Sequence, residues 1–223
     1  MENEKDQDLE SLINLLSNSK SENYNILSYG KIHGKYKISS ENIQEFLTRY
    51  INCINKGIVL SILEKQNNIN PIIIDVDLKM VKEEVSTERL YNYELVIKII
   101  NLYIDAIKTY LKINDDNLII SVFEKDGMKD LEDIYKDGFH IIFNNTICDI
   151  PTRHLIRREV INTYNNSSDK ILEQYIESIE KIIDKSVVSS NNWFLYGSQK
   201  PDNDSYKLTK MYINKRSSQI RRI

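Results

Sequence analysis

Asp75 and Asp77, in the segment PIIIDVDLKM (71–80), are separated by one residue. On an extended strand, side chains two apart share a face, so the two carboxylates would repel unless a cation stood between them. Hard oxygen donors suit Mg²⁺ or Mn²⁺, ions that retain waters and take substrate phosphates as further ligands. The plainer alternative is a strand end whose aspartates are solvated or cap a turn. Glycosyltransferases and many nucleases use the same pair, so it leaves the reaction open. A second candidate is GFHIIF, where His140 interrupts an apolar strand and Gly138, two positions earlier, lets a ligand or another backbone approach closely. A phosphate could then meet the Gly138 backbone and the imidazole together. A hydrogen-bonded core histidine is the bland alternative. A third is Asp184 in IIDKSVV, which could equally end a helix. In WFLYGSQKP, Gly197, Ser198 and Lys200 could hold an anion in a turn or simply form a surface turn. His33 and His154 have no partner at a metal-ligand spacing, and GxxxxGK[ST] is absent, which excludes a P-loop ATPase.

Several elements must position these residues. Leu9, Leu12, Ile13 and Leu16 recur at helical spacing, and SYGKIHGKYKIS (28–39) reads as a hairpin. A helix is expected over 41–55. Residues 71–80 form a short β-branched run behind a proline, read as a buried strand that ends at its carboxylates and faces a cleft. A long helix follows over 89–111. NLIISVFEK and GFHIIF read as strands joined by a charged loop over 126–137, and helices are expected over 151–164 and 169–183. SVVSSNNWFLYGS reads as strand, turn, strand. The mixture is α/β or α+β.

With 223 residues, the chain can bury about 70% of its unfolded surface. Hydrophobic residues at 41% and charged residues at 28%, with six Gly and three Pro, exclude fibrous and low-complexity classes. The 36 Ile and 24 Asn against the single Ala106 reflect an AT-rich genome rather than folding physics. Cys53 and Cys148 lie far apart, so neither a disulfide framework nor a zinc site is indicated. No apolar run approaches a membrane span, and the acidic start MENEKDQDLE is unlike a signal peptide. A soluble, non-secreted protein is expected. A net charge of −3 builds no general attraction to nucleic acid, so any basic footprint must be local.

Taken in order, these pieces resemble the archaeo-eukaryotic primase domain at the front of the primase-helicases of large double-stranded DNA viruses. The resemblance rests on Asp75-Val76-Asp77, Gly138-Phe139-His140 and Ile183-Asp184, within the blocks GKIHGKYKIS, LEKQNNINPIIIDVDLKM, FEKDGMKDLEDIYKDGFHIIF and DKSVVSSNNWFLYGSQKP. One departure is Gly138, where many members of the wider superfamily carry Ser or Thr. The resemblance implies an RRM-like antiparallel sheet core with an N-terminal α/β unit and flanking helices. It divides the chain into a helical segment (1–27), a catalytic domain (28–205) and a basic tail or linker (206–223).

The implied activity is primer synthesis on a single-stranded DNA template from NTPs or dNTPs. Asp75, Asp77 and Asp184 would hold two Mg²⁺ or Mn²⁺ ions, and Gly138, His140, Ser198 and Lys200 would bind the nucleotide. Lys35 and Lys37 share a face of the expected hairpin and could reach nucleotide or template. Lys207, Lys210, Lys215, Arg216, Arg221 and Arg222 make the C-terminal region the most basic stretch, suited to a DNA backbone or to a solvated tail. Members of this kind continue into a superfamily 3 helicase, which the chain is too short to contain, and act in the host cytoplasm or nucleus. Two other classes stay in view: a silent nucleic-acid-binding module that positions a helicase, and another DxD enzyme. The latter leaves GFHIIF and WFLYGSQKP unexplained.

Overall fold

A computed structural model describes residues 2–85, 87–113, 118–215 and 219–222. The chain divides into two units, one of residues 67–190 and 207–223 and one of residues 1–66 and 191–206. The alternation of apolar and polar residues around Asp75 gives the longest strand pair of the larger unit. Strand β4 (Ile69–Val81) runs antiparallel to β7 (Ile134–Asp149), with Asp75 opposite His140 and Asp77 opposite Gly138. Their register shifts between Pro71 and Ile72, where proline has no N–H to give to the ladder. Strand β5 (Leu118–Glu124) pairs with the other side of β7, and β9 (Lys207–Lys215) and β10 (Gln219–Arg222) extend the sheet. The strand order is β10-β9-β5-β7-β4, with the short β6 (Lys129–Leu131) paired to β7.

One face of this sheet is apolar. Ile72, Ile74, Val76 and Leu78 of β4 join Phe139, Ile141 and Phe143 of β7 and Ile120 and Val122 of β5 in one buried cluster. Helix α3 (Tyr93–Tyr110) contributes Leu95, Val96, Ile99, Ile100, Tyr103 and Ile107, and α4 (Ile150–Asn166) contributes Ile156, Val160 and Tyr164. Both helices begin at a side-chain cap. Asn92 accepts from the Leu95 N–H at 3.1 Å and Asp149 from the Thr152 N–H at 2.9 Å. Asp75, Asp77, Gly138 and His140 alternate with the core residues and so occupy the opposite face.

The smaller unit has a four-stranded antiparallel sheet in the order β2-β1-β3-β8, built from β1 (Ile26–Ser28), β2 (Gly34–Tyr36), β3 (Ile62–Glu64) and β8 (Trp193–Phe194). Helices α1 (Glu2–Ser17) and α2 (Ile43–Asn55) supply Leu12, Leu16, Phe46, Tyr50 and Cys53 to a core shared with Ile26, Tyr36 and Ile62. Among the described residues, no helix is long and apolar enough to cross a membrane.

The antiparallel, mixed α/β architecture agrees with the expectation, but four segments differ. First, residues 206–223 are neither tail nor linker, because β9 and β10 belong to the main sheet and Tyr212, fully buried, stands opposite Ile120. Lys207 and Lys210 are paired with Asp126 and Glu124, while Arg216 and the side chains of Lys215, Arg221 and Arg222 lie outside the described residues. Second, the helix expected over 169–183 is a 3₁₀ turn (Ile171–Gln174) and a single turn, α5 (Ile179–Ile182), with bends between them. Third, the strand expected at SVVS is another single turn, α6 (Ser186–Ser189). Fourth, β4 does not end at its carboxylates but continues to Val81, because residues 134–137 of the expected loop begin β7 and pair with residues 78–81, while β6 pairs with β7.

Candidate active site on the six-stranded sheet

Strand register places the first four site residues. Asp75 and His140 face each other across β4 and β7, with Nε2 3.3 Å from Oδ1. Asp77 lies one position along the same face, and its Oδ1 is 2.9 Å from Nζ of Lys136, two residues before Gly138 on β7. Asp184 reaches the site from a distant part of the chain. β4 is an edge strand with unpaired backbone groups, and residues 176–184 satisfy some of them. The Ile176 N–H donates to the Lys79 carbonyl at 3.0 Å, Val76 and Ile183 form an isolated antiparallel bridge, and the Asp184 N–H donates to the Asp75 carbonyl at 3.0 Å. The backbone of the third acidic residue is therefore tied to that of the first. The Asp184 carboxylate oxygens accept from the Ser186 N–H at 2.8 Å and from the Ser186 hydroxyl, which also starts α6.

The close approach expected at Gly138 is that of another backbone. A Cβ there would lie 2.2 Å from the Val76 carbonyl oxygen, so only glycine lets β4 and β7 come this near. The Gly138 N–H donates to Oδ1 of Asp137 at 2.8 Å. Asp137 is buried and takes a fork of two hydrogen bonds from Arg89, each 2.8 Å, together with the Leu90 N–H at 3.1 Å. Burial alone would lower the Arg89 pKa, but the pairing with Asp137 outweighs it and the net shift is upward. Beside it, the Tyr91 hydroxyl donates to Glu124 at 2.9 Å. Burial pushes the Glu124 carboxyl up, yet the hydrogen bonds from Lys210, Thr209 and Tyr91 hold it below the usual carboxylate range.

The larger unit thus brings together Asp75, Asp77, Gly138, His140 and Asp184, whereas Ser198 and Lys200 belong to the smaller unit. Ser198 is buried there. Its hydroxyl lies 3.0 Å from that of Tyr50 and accepts the Ile62 N–H at 3.1 Å, a structural employment rather than the expected anion contact. Gly197 adopts φ +89° and a Cβ there would meet Ile54 at 2.8 Å, so the turn is shaped by packing. Lys200 is exposed. Lys35 is exposed and paired with Glu22 at 2.7 Å, and Lys37 is exposed beyond the end of β2. Sequence reasoning missed Lys136, which fell in the expected loop over 126–137; the strand β7 in fact starts at Ile134 and puts it on the face of His140. It also missed Arg89 and Asp137, for which no local pattern exists.

The donor chemistry fits a hard dication: three carboxylates lie on neighbouring segments, and the Lys136 ammonium beside Asp77 stands where positive charge is wanted. As they are turned, however, no three His, Cys, Asp or Glu side chains among the described residues form a metal-holding group. Cation binding would require Asp77 to exchange Lys136, and Asp184 to exchange Ser186, for the ion.

Residues 27–212 match the C962R protein N-terminal AEP domain, the archaeo-eukaryotic primase type. The chain belongs to this family. Relatives of the chain are found in viruses. A protein of Acanthamoeba polyphaga mimivirus is 31% identical over 173 residues, covering 77% of this chain and 18% of its own length. One from Invertebrate iridescent virus 6 is 27% identical over 213 residues, covering 83% and 21%, and one from Invertebrate iridescent virus 3 is 27% identical over 201 residues, covering 85% and 21%. All three carry the word helicase in their names. The chain spans about a fifth of the length of these relatives. It is a primase-like AEP domain of the viral replication kind.

Proposed function

We propose that this AEP domain synthesises short primers on single-stranded DNA by nucleotidyl transfer, using Mg²⁺ or Mn²⁺ held by Asp75, Asp77 and Asp184. The observation that supports the reading is the hydrogen bond from the Asp184 N–H to the Asp75 carbonyl, which ties the backbone of a third acidic residue to the strand that carries the first two. Two divalent ions, when bound, supply activation of a 3′ hydroxyl and stabilisation of the departing pyrophosphate. The chain's own residues would do the rest. His140 donates a hydrogen bond to a nucleotide phosphate, and its neighbour Asp75 orients the ring. Lys136, released from Asp77 by the ion, keeps a positive charge beside the triphosphate. In the longer relatives' arrangement, a helicase region of the same polypeptide would act on the strand that this domain primes.

The test is synthesis of labelled oligonucleotides on single-stranded DNA with NTPs or dNTPs and Mn²⁺. The Asp75→Asn, Asp77→Asn double variant should fall to background while retaining its circular-dichroism spectrum. Undiminished synthesis by that folded variant would overturn the site. His140→Ala should raise the nucleotide KM about tenfold with a smaller change in kcat.

A further inference from the structure

Asp184 sits on the least regular scaffold of the site. The helical turns on either side, α5 and α6, have four residues each, and Ile183 meets β4 through a single bridge. Even so, the peptide unit joining Ile183 to Asp184 is held at both ends. Its N–H donates to the Asp75 carbonyl at 3.0 Å. A trans peptide directs its carbonyl the opposite way, here off the edge of the sheet. There the Ile183 carbonyl accepts two hydrogen bonds from Arg157 of α4, one from Nε at 3.0 Å and one from Nη2 at 2.7 Å. Nη2 also reaches the Glu180 carbonyl at 2.5 Å, so one guanidinium gathers two carbonyl groups from the end of α5.

We propose that Arg157 is a positioning residue for Asp184, fixing from behind the peptide whose front edge is bonded to Asp75. The inference rests on the reading of Asp184 as a metal ligand. Arginine suits the task because its donors form a rigid planar fork, whereas a lysine ammonium would restrain the carbonyl through a single flexible point. Ile183 is buried, so its carbonyl, once deprived of the guanidinium, has little water to turn to. The peptide would then rotate about its one remaining anchor and carry the Asp184 carboxylate with it. Partners that orient metal ligands in this way typically matter by about 10- to 100-fold in metal affinity.

The experiment compares Arg157→Met and Arg157→Lys with the unaltered 223-residue chain by amide hydrogen exchange and by Mn²⁺ titration calorimetry. Asp184→Asn serves as the control for the metal site. Arg157→Met should speed exchange at the Asp184 amide about tenfold, leave Ile120 and Val122 in the centre of the sheet unchanged, and weaken Mn²⁺ binding about tenfold. Arg157→Lys should recover part of both losses. Unchanged exchange at Asp184, a uniform rise that includes Ile120 and Val122, or a lower Tm with wild-type Mn²⁺ affinity would each overturn the proposal. If the unaltered chain binds no Mn²⁺, the metal reading fails by itself, and exchange at Asp184 still decides whether Arg157 fixes that peptide. Should the Met variant not fold, Arg157→Lys decides by the same two measurements, with smaller effects.

Discussion

In the larger unit, backbone pairing positions Asp75 and Asp77, and their carboxylates face His140 and Lys136, partners that a dication could displace from the carboxylates. In the smaller unit, the Gly197–Lys200 turn offers residues that look equally suited to an anion, yet the Ser198 hydroxyl is turned inward to Tyr50 and Ile62. The Tyr50 phenol in turn is pushed up to about 12 by burial. Residue type is thus a poor guide to function unless the side chain's partner is one that a ligand could displace.

The sharpest way to break this contrast is to remove one side chain from each region. Asp184→Asn should lower primer synthesis by on the order of a hundredfold or more, as expected when a charge stabilising the transition state is lost. A milder effect in a folded variant would place the third carboxylate outside the chemistry. Gly138→Ala comes next, because its methyl group cannot coexist with the Val76 carbonyl and must spread β4 from β7. A loss of about 1–3 kcal/mol in urea unfolding is expected, and wild-type stability would refute the close approach. Ser198→Ala should cost about 1–3 kcal/mol of stability through the orphaned Ile62 N–H, with the nucleotide KM unchanged. A raised KM at unaltered stability would return Ser198 to the nucleotide site and erase the contrast.

The smallest effect concerns Glu124. Its carboxyl is more acidic in the folded chain than the ordinary 4.5, so its contribution is complete above that value and disappears as the pH falls through the lower folded value. Glu124→Gln should flatten the acid limb of a stability–pH curve between pH 5 and 3, measured by urea unfolding. An unchanged limb would mean that Lys210, Thr209 and Tyr91 do not hold the charge.

Most of the candidate site was legible because period-two alternation survives in β4 and β7. Asp75 and Asp77 could be put on one face of their strand, and Gly138 and His140 on one face of theirs, before any pairing was known. What the pattern could not reveal was where β4 sits in its sheet. Ile176, Ile179, Ile182 and Ile183 recur at helical spacing, but the open edge of β4 offers backbone partners that a continuous helix would leave unused, and contacts with it at Ile176 and at Ile183–Asp184 confine the helical conformation to short turns. The same edge brings Asp184 to Asp75. At the C-terminus the count of basic residues obscured a strand whose Tyr212 fills the core. Arg89, Asp137 and Arg157 were invisible for a different reason: each acts on a backbone group or charge distant in sequence, and only the folded chain shows which.

The interrupted layout of the smaller unit has a consequence for the order in which the molecule is made. Its first three strands end at Glu64, but β8, which covers the edge of β3, begins at Trp193. At ribosomal rates of about 5–20 residues per second, that edge waits on the order of ten seconds for its partner while the whole stretch 67–190 emerges. A nascent chain stalled in that interval would display both an uncovered β-edge and a nearly finished acidic site, making the late arrival of two residues, Trp193 and Phe194, a vulnerable moment in its biogenesis.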